Sequence, residues 1–129
     1  MPLRSPLSRA TLVAGCIAAG TAVALGAFAA HALRATLDGS ALATWQTGVD
    51  YQFRHALALL VVGLLARGQA GRGLGAAAIS FGLGIVLFCA SLYALALGAP
   101  RWLGAVTPIG GLCFLAGWSL LLASILRRE

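Results

Sequence analysis

Residues 11–33, TLVAGCIAAGTAVALGAFAAHAL, form an unbroken stretch of 23 residues without a fixed charge. A helix needs about 20 mostly apolar residues to cross a hydrocarbon core about 30 Å thick. Two further stretches meet this requirement, because residues 73–100 and 102–126 also lack Arg, Lys, Asp and Glu. The chain therefore carries at least three segments that are typical of transmembrane helices.

The composition of the whole chain supports this interpretation. Hydrophobic residues make up 60% of the 129 residues and charged residues only 9%, whereas an average soluble domain has about 25% charged residues. The mean hydropathy is +0.95. A soluble protein of this size would need many more charges to cover its surface. Soluble enzymes, disordered tails and disulfide-stapled secreted modules are therefore excluded, and an integral membrane protein is predicted.

A further span between the first two of these stretches is less obvious. Only 11 apolar residues lie between His55 and Arg67, and as a helix they reach roughly 16 Å. If Arg67 marks one interface, a full span must begin near Gln46. Such a span carries Asp50, Arg54 and His55 below the opposite interface.

With this span, the sequence predicts an all-α protein, a four-helix transmembrane bundle that forms a single domain over residues 1–129. The approximate spans are residues 11–33, 46–66, 74–98 and 107–126.

The distribution of arginines gives the expected orientation. With four spans, six of the nine basic residues fall on one side of the membrane: Arg4, Arg9, Arg67, Arg72, Arg127 and Arg128. Because short cytoplasmic loops carry an excess of Arg and Lys, both termini are predicted to be cytoplasmic. Although the net charge is +6, nucleic acid is not an expected partner, because the arginines stand at the ends of apolar runs instead of on one face.

The first outer loop shows a helical pattern. Leu42, Trp45 and Val49 follow the spacing of one helix face, and Ser40 could cap a helix there. The sequence predicts a short interfacial helix that runs into the second span, with Trp45 at the aromatic belt of the membrane.

The fourth span has a start signal of its own. Thr107 could cap it, and Pro108 would then occupy the first helical position, where its missing N–H does no harm. Trp102 would lie at the interface just before it.

Small residues at four-residue spacing indicate helix seams, because helices in lipid associate by close packing. The sequence does not indicate whether these seams lie within one chain or between chains. The predicted seam residues are Ala14, Ala18, Ala22, Gly26 and Ala30 on the first helix and Ala78, Gly82, Ala90 and Ala94 on the third.

Most polar side chains that could carry chemistry are expected at one depth, near the outer face. Ionisable groups at membrane depth are costly and are functional candidates. The candidate outer-leaflet polar cluster consists of His31, Asp50, Tyr51, Gln52, Arg54, His55, Ser91, Tyr93 and Thr107.

Asp50 and Arg54 stand four residues apart with the acid first, which is the favourable order for an ion pair on a helix. The simpler hypothesis is a self-neutralising pair that lets a short helix reach the interface. The functional alternative is an ion or proton site open to the outside.

His31 and His55 are the two histidines, on adjacent helices. They could ligate a haem iron or a metal between helices, but two imidazoles without a third ligand are a weak signal. The alternative is that each bonds a backbone carbonyl or Tyr51, so no metal and no cofactor are predicted. Trp118 also needs a partner for its indole N–H. The sequence carries no recognisable nucleophile–base pair, phosphate loop or carboxylate dyad, and no enzymatic activity is expected.

Several strings together resemble the YgdD/YwdK-like family of small bacterial membrane proteins, a family without an established activity that has a distant animal transmembrane relative. The resemblance covers nearly the whole chain. The strings are GAFAAHAL at 26–33, WQTGV at 45–49, YQ at 51–52, HALALL at 55–60, LFCASLY at 87–93, WLG at 102–104, TPIGG at 107–111 and GW at 117–118.

The resemblance implies four spans in the bacterial plasma membrane, and it implies no activity. It also implies that one set of positions defines the family's outer-leaflet cluster: His31, Tyr51, Gln52, His55, Ser91, Tyr93, Thr107, Pro108 and Trp118.

Three hypotheses for function follow. The first is a non-enzymatic accessory or assembly component that contacts the lipid bilayer and either a second copy or a larger membrane complex. The second is an oligomeric small-molecule or proton-linked transporter, in which Asp50 would carry the ion. The third is a cofactor-binding redox subunit that uses His31 and His55.

Overall fold

The computed structural model describes residues 5–68 and 71–127, and the prediction of an all-α fold is confirmed. Within these residues, four helical segments are long and apolar enough to cross a membrane: Pro6–Ala35, Gly39–Gly68, Arg72–Ala96 and Arg101–Leu126. Arg4 and Arg128, which contribute to the predicted orientation, lie outside the described residues.

Five α-helices make up these segments, and shorter turns extend or join them. The helices are α1 Pro6–His31, α2 Gly39–Gly68, α3 Arg72–Gly84, α4 Ala90–Ala96 and α5 Val106–Leu126. The shorter elements are a 3₁₀ turn at Leu33–Ala35, a π-helical turn at Ile85–Cys89 that joins α3 to α4, and a 3₁₀ turn at Arg101–Ala105.

The helix expected in the first outer loop is the beginning of α2, and it continues into the second span without a break. Asp38 starts this helix, because its carboxylate accepts a hydrogen bond from the backbone N–H of Ala41 at 2.7 Å. An Asp at this position satisfies one of the free N–H groups of the first turn. The predicted cap was Ser40, two residues later.

The α1–α2 contact follows a seven-residue spacing. Ser8, Gly15, Ala22 and Ala29 are buried against α2, and the Ser8 hydroxyl donates to the carbonyl of Gly63 at 2.8 Å. A seven-residue step drifts only about 20° around a helix, so these positions stay on nearly the same face over about six turns.

The predicted four-residue row on α1 does not follow this face. Each four-residue step turns about 40° around the helix, so the two ends of a five-residue row point in different directions. Within the chain, Ala22 is buried, Ala18 and Gly26 are half-buried, and Ala14 and Ala30 are exposed.

On the third span, the predicted small residues also lie off the buried face. Ala78, Gly82 and Ala94 are half-buried and Ala90 is exposed. The buried positions are Leu74, Ala77, Phe81, Gly84, Cys89, Ser91 and Ala96.

The π-helical turn packs closely on α5 at Gly110. A Cβ atom at this position would overlap the backbone nitrogen of Phe88 in the π turn. Only glycine allows this approach of two backbones. Gly110 therefore fixes how the third and fourth spans meet.

Two tryptophans that were expected at the interface have different environments. Trp45 is only 4% exposed and donates its indole N–H to the carbonyl of Leu25 at 3.0 Å, so it is a core residue. Trp102 is 69% exposed. The prediction that Trp45 is an interfacial anchor was wrong, because the first turns of α2 pack on α1 and bury the Trp45 ring.

The fourth span also begins differently from the expectation. The helix α5 starts at Val106 directly after a 3₁₀ turn, and no side chain caps it. The Thr107 hydroxyl instead lies 2.6 Å from the Ser91 hydroxyl, so it joins α5 to α4. Pro108 remains within the first turn, where its missing N–H is tolerated.

Candidate functional site

The middle of α2 carries the polar stretch that was predicted to lie near the outer face of the membrane. This helix runs from Gly39 to Gly68, so its midpoint falls between Phe53 and Arg54. Asp50, Gln52 and His55 therefore lie around the centre of the helix. They divide into an inner set that faces the other helices and an outer set that faces away from them.

The inner set begins with Gln52, which is 5% exposed. Its side-chain amide nitrogen donates to the carbonyl of Ala18 at 2.9 Å and to the hydroxyl of Thr21 at 2.8 Å. Its amide oxygen accepts from the hydroxyl of Tyr93 at 2.8 Å. One side chain of α2 thus links α1 and α4.

Gly48 makes room for this network one turn earlier on α2. A Cβ atom there would lie 2.7 Å from the ring atom Cε1 of Tyr93. Real Cβ atoms essentially never approach so closely, so Gly48 allows the Tyr93 ring to pack against α2 with its hydroxyl at Gln52.

His55 forms the second inner group, and both of its ring nitrogens have partners. Nδ1 lies 2.7 Å from the carbonyl oxygen of Tyr51, and Nε2 lies 3.1 Å from the indole nitrogen of Trp118. An indole N–H only donates and a carbonyl only accepts. His55 is therefore assigned as the neutral tautomer with its proton on Nδ1.

Aromatic rings surround His55. The imidazole stacks on Phe114 with ring centroids 3.6 Å apart and an interplanar angle of 12°. Phe81 and Trp118 lie at 5.8 and 5.9 Å from it, and Tyr51 stacks from its own helix at 5.8 Å. This cluster brings the second, third and fourth spans together.

Ser91 and Thr107 form a third polar contact. The Ser91 hydroxyl donates to the carbonyl of Phe88 at 2.8 Å, and the Thr107 hydroxyl, 2.6 Å away, is then the donor to Ser91. Throughout residues 5–68 and 71–127, every buried side-chain nitrogen and oxygen has a hydrogen-bond partner.

The outer set consists of Asp50 and Arg54, and both are exposed. Asp50 accepts a hydrogen bond from the side-chain amide of Gln46 at 2.9 Å. The guanidinium of Arg54 lies over the ring of Tyr51, 5.7 Å from its centroid. The ion pair expected between Asp50 and Arg54 is not formed in the described part of the chain, because each side chain turns to a different neighbour on α2.

The two histidines do not share a site. His31 is exposed at the end of α1, six residues beyond Leu25, which contacts Trp45 on the antiparallel α2. His55 lies ten residues along α2 in the opposite direction. At 1.5 Å per residue, the two histidines are on the order of 20 Å apart along the bundle. One metal ion could not bind both.

Several of these contacts were not predicted from the sequence, among them the hydrogen bonds of Gln52 to Thr21 and of Trp118 to His55. Thr21 is not among the predicted site residues, and Trp118 is included only through the family resemblance and the need of its indole N–H for a partner. A buried donor on one span and an acceptor on another at matching depth is a signal for such a pair. The depths of the spans relative to one another were not known from the sequence.

Comparison with known sequences assigns the chain to a family. A family model described as "Protein of unknown function (DUF423)" matches residues 25–111. The chain belongs to this family.

Relatives in the family are similar over nearly their whole length. The UPF0382 inner membrane protein YgdD of Escherichia coli is 40% identical over 122 residues, which cover 95% of this chain and 93% of the relative. The UPF0382 membrane protein YwdK of Bacillus subtilis is 40% identical, covering 90% and 95%. A UPF0382 membrane protein of Staphylococcus haemolyticus is 39% identical, covering 90% and 94%. No solved structure matches the chain.

These findings confirm the predicted family and the predicted membrane location. The relatives are membrane proteins of bacteria by name, and the E. coli protein is named as an inner membrane protein. Together with the four helical segments of the described residues that are long enough to span a membrane, they identify a multi-pass protein of the bacterial plasma membrane. The family has no assigned activity.

Proposed function

We propose that this family member is a non-enzymatic assembly component, which packs against other protein helices in the membrane through the exterior of α2. The observation that supports the proposal is the position of Asp50 and Arg54, both exposed on the side of α2 that faces away from the bundle. Charged side chains in membrane helices usually face a protein interior or a water-filled cavity. A protein surface against this side of α2 would provide such an environment.

The depth of the two residues makes this argument stronger. Arg54 lies 13 residues before Arg67, which corresponds to about 20 Å of helix. A hydrocarbon core is about 30 Å thick. If Arg67 lies at the inner interface, Arg54 begins within the hydrocarbon layer, and its guanidinium is turned towards the outer side, over Tyr51.

The inner groups support an architectural role over transport or redox chemistry. The free lone pair of His55 accepts a hydrogen bond from Trp118, so binding of a metal or haem iron would require this bond to break. Gln52 uses both of its N–H groups to bind α1. Asp50, the carboxylate that a transporter would need, lies outside the bundle.

Native mass spectrometry of the protein, gently released from its own membrane, tests the proposal. We expect a mass above that of the single chain. The double variant Asp50→Asn/Arg54→Gln should lose the bound protein, because neutral side chains no longer offer a charged contact. The matched control is Ser119→Ala, which changes an exposed polar residue on α5 and should leave the complex intact.

Two results would contradict the proposal. One is a bare monomer from the native membrane. The other is a complex that the double variant retains in full.

A further inference from the structure

We infer that the exterior face of α2 docks on the same face of a second copy, so that Asp50 of each copy pairs with Arg54 of the other. This inference rests on the proposed assembly role and names the partner. The face carries one acidic and one basic residue, both exposed and not paired with each other. It is therefore complementary to itself.

A two-fold axis along the membrane normal is the symmetry that fits. Such an axis keeps both copies in the same orientation, as the shared arginine distribution requires, and sets two α2 helices side by side and parallel. Each contact between Asp50 and Arg54 then occurs twice, which is the property of an isologous interface.

The side-chain directions bring the two charges to the same level. Side chains on a helix lean towards its N-terminus, and the guanidinium of Arg54 lies over Tyr51, three residues earlier. This lifts the positive charge by most of one helical turn, about 5 Å. In a parallel pair, the guanidinium of one copy is therefore level with Asp50 of the other.

Below the charges, the same face becomes apolar. Leu57, Val61 and Leu64 are 44, 47 and 54% exposed and follow Asp50 and Arg54 at alternating steps of three and four residues. This spacing is the seam of two helices that cross at about 20°. The contact between copies would thus continue from the charged turn towards the inner interface.

A shallow groove of about 290 Å³ lies beside the charged turn. Ala22, Val23 and Gly26 of α1 form one wall, and Val49 and Phe53 of α2 form the other. Small residues on α1 leave this space open next to Asp50 and Arg54. It can accept an apolar side chain from the second copy, which would remove the charged pair from lipid.

Charge reversal distinguishes a second copy from any other partner. The Asp50→Arg chain presents two positive charges on this face, and the Arg54→Asp chain presents two negative charges. Each variant should fail to pair with itself, because like charges facing one another at an interface are strongly unfavourable. The two variants should pair with each other, and Asp50→Arg/Arg54→Asp should again pair with itself.

The measurement is co-purification of two differently tagged copies expressed in the same membrane. We expect each single variant alone to fall at least about tenfold below the unmodified chain, the equivalent of about 1.4 kcal/mol. Co-purification of the mixed single variants and of the double reversal should recover to within about twofold of the unmodified chain.

A second measurement leaves Asp50 and Arg54 unchanged, so its result does not depend on whether the charge variants fold. In a Cys16→Ala/Cys113→Ala background, Leu57→Cys should form an intermolecular disulfide on oxidation of intact membranes. Leu122→Cys on α5, with a comparable exposure of 58%, should not.

The outcomes separate this inference from the proposed function. If neither the mixture nor the double reversal recovers, while the variants also lose the mass of the native complex, the partner is another protein and the homodimer is refuted. If the single variants co-purify as well as the unmodified chain, the homodimer is also refuted. Retention of the full native complex by Asp50→Asn/Arg54→Gln instead refutes the assembly role itself.

Discussion

Polar side chains on the two faces of α2 differ in the helices that their partners belong to. On the inner face of α2, Gln52 and His55 have every side-chain nitrogen hydrogen-bonded to neighbouring residues of the chain. On the outer face, the hydrogen bond of Asp50 and the cation–π contact of Arg54 are both made to residues of α2 itself. The inner polar groups stabilise this fold, whereas the outer ones contribute little to it. Polar residues at membrane depth in α2 thus fall into two groups, one that joins the helices of this chain and one that does not.

The largest loss of stability is expected at Gly110, where the backbone of α5 meets the backbone of the π-helical turn within the bundle. Gly110→Ala places a Cβ atom against the backbone of Phe88, which cannot move aside as a side chain can. Overpacking typically costs 1–3 kcal/mol and occasionally more, so we expect a loss of about 3 kcal/mol. Thermal unfolding in detergent measures it. Gly82→Ala is the control, because no atom lies within 4 Å of its Cβ position; an equal loss in both variants would contradict the close approach.

The next largest effect concerns the link between three helices. Gln52→Leu removes the partner of the Tyr93 hydroxyl and two contacts to α1. We expect a loss of about 2 kcal/mol, because the half-buried hydroxyl of Tyr93 is left without its acceptor.

A double-mutant cycle isolates the bond between Gln52 and Tyr93. Tyr93→Phe should cost much less in the Gln52→Leu background than in the unmodified chain, with a coupling of about 0.6–1.7 kcal/mol. Strict additivity of the two losses in thermal unfolding would show that this hydrogen bond contributes nothing.

A smaller effect is expected at His55. Trp118→Phe keeps an aromatic ring on α5 but removes the indole N–H that Nε2 accepts, so we expect a loss of about 1 kcal/mol. The ¹⁵N signals of the imidazole provide a direct check, since the Nε2 shift should change while Nδ1 keeps its bond to Tyr51. An unchanged Nε2 shift would contradict the hydrogen bond.

The smallest effect is expected on the outer face. Asp50→Asn and Arg54→Gln should each change the stability of the isolated chain by less than about 0.5 kcal/mol, as is usual for exposed positions. Thermal unfolding of the monomer in detergent measures this. A loss as large as that of Gln52→Leu would mean that the two faces do not differ in the way described.

The fold was largely predictable, because the energetics of a bilayer act on local sequence. Charge-free stretches of at least 23 residues must be helical in lipid, since only a helix satisfies their backbone groups within the segment. The second span required an indirect argument from Arg67. The helix predicted in the loop before it is the first part of α2, which begins at Gly39 and packs on α1.

The candidate site was only partly predictable. Ser91, Thr107, Gln52 and Tyr93 were expected in one cluster, yet which of them bond one another depends on the relative depth and rotation of the spans. The predicted four-residue row of small residues on α1 also did not give the face that contacts α2, because α1 packs on α2 with a seven-residue spacing. The expected pair of Asp50 and Arg54 was likewise separated by contacts to Gln46 and Tyr51.

The sequence by itself determined the membrane location, the number of spans and the family, because these depend on hydropathy and on matches along the chain. The tertiary structure alone decided which polar groups of α2 face inward. A residue's position along a helix sets its depth, but its direction depends on how neighbouring helices pack. The packing that joins His55 to Trp118 and leaves Asp50 exposed depends on contacts between residues far apart in the chain.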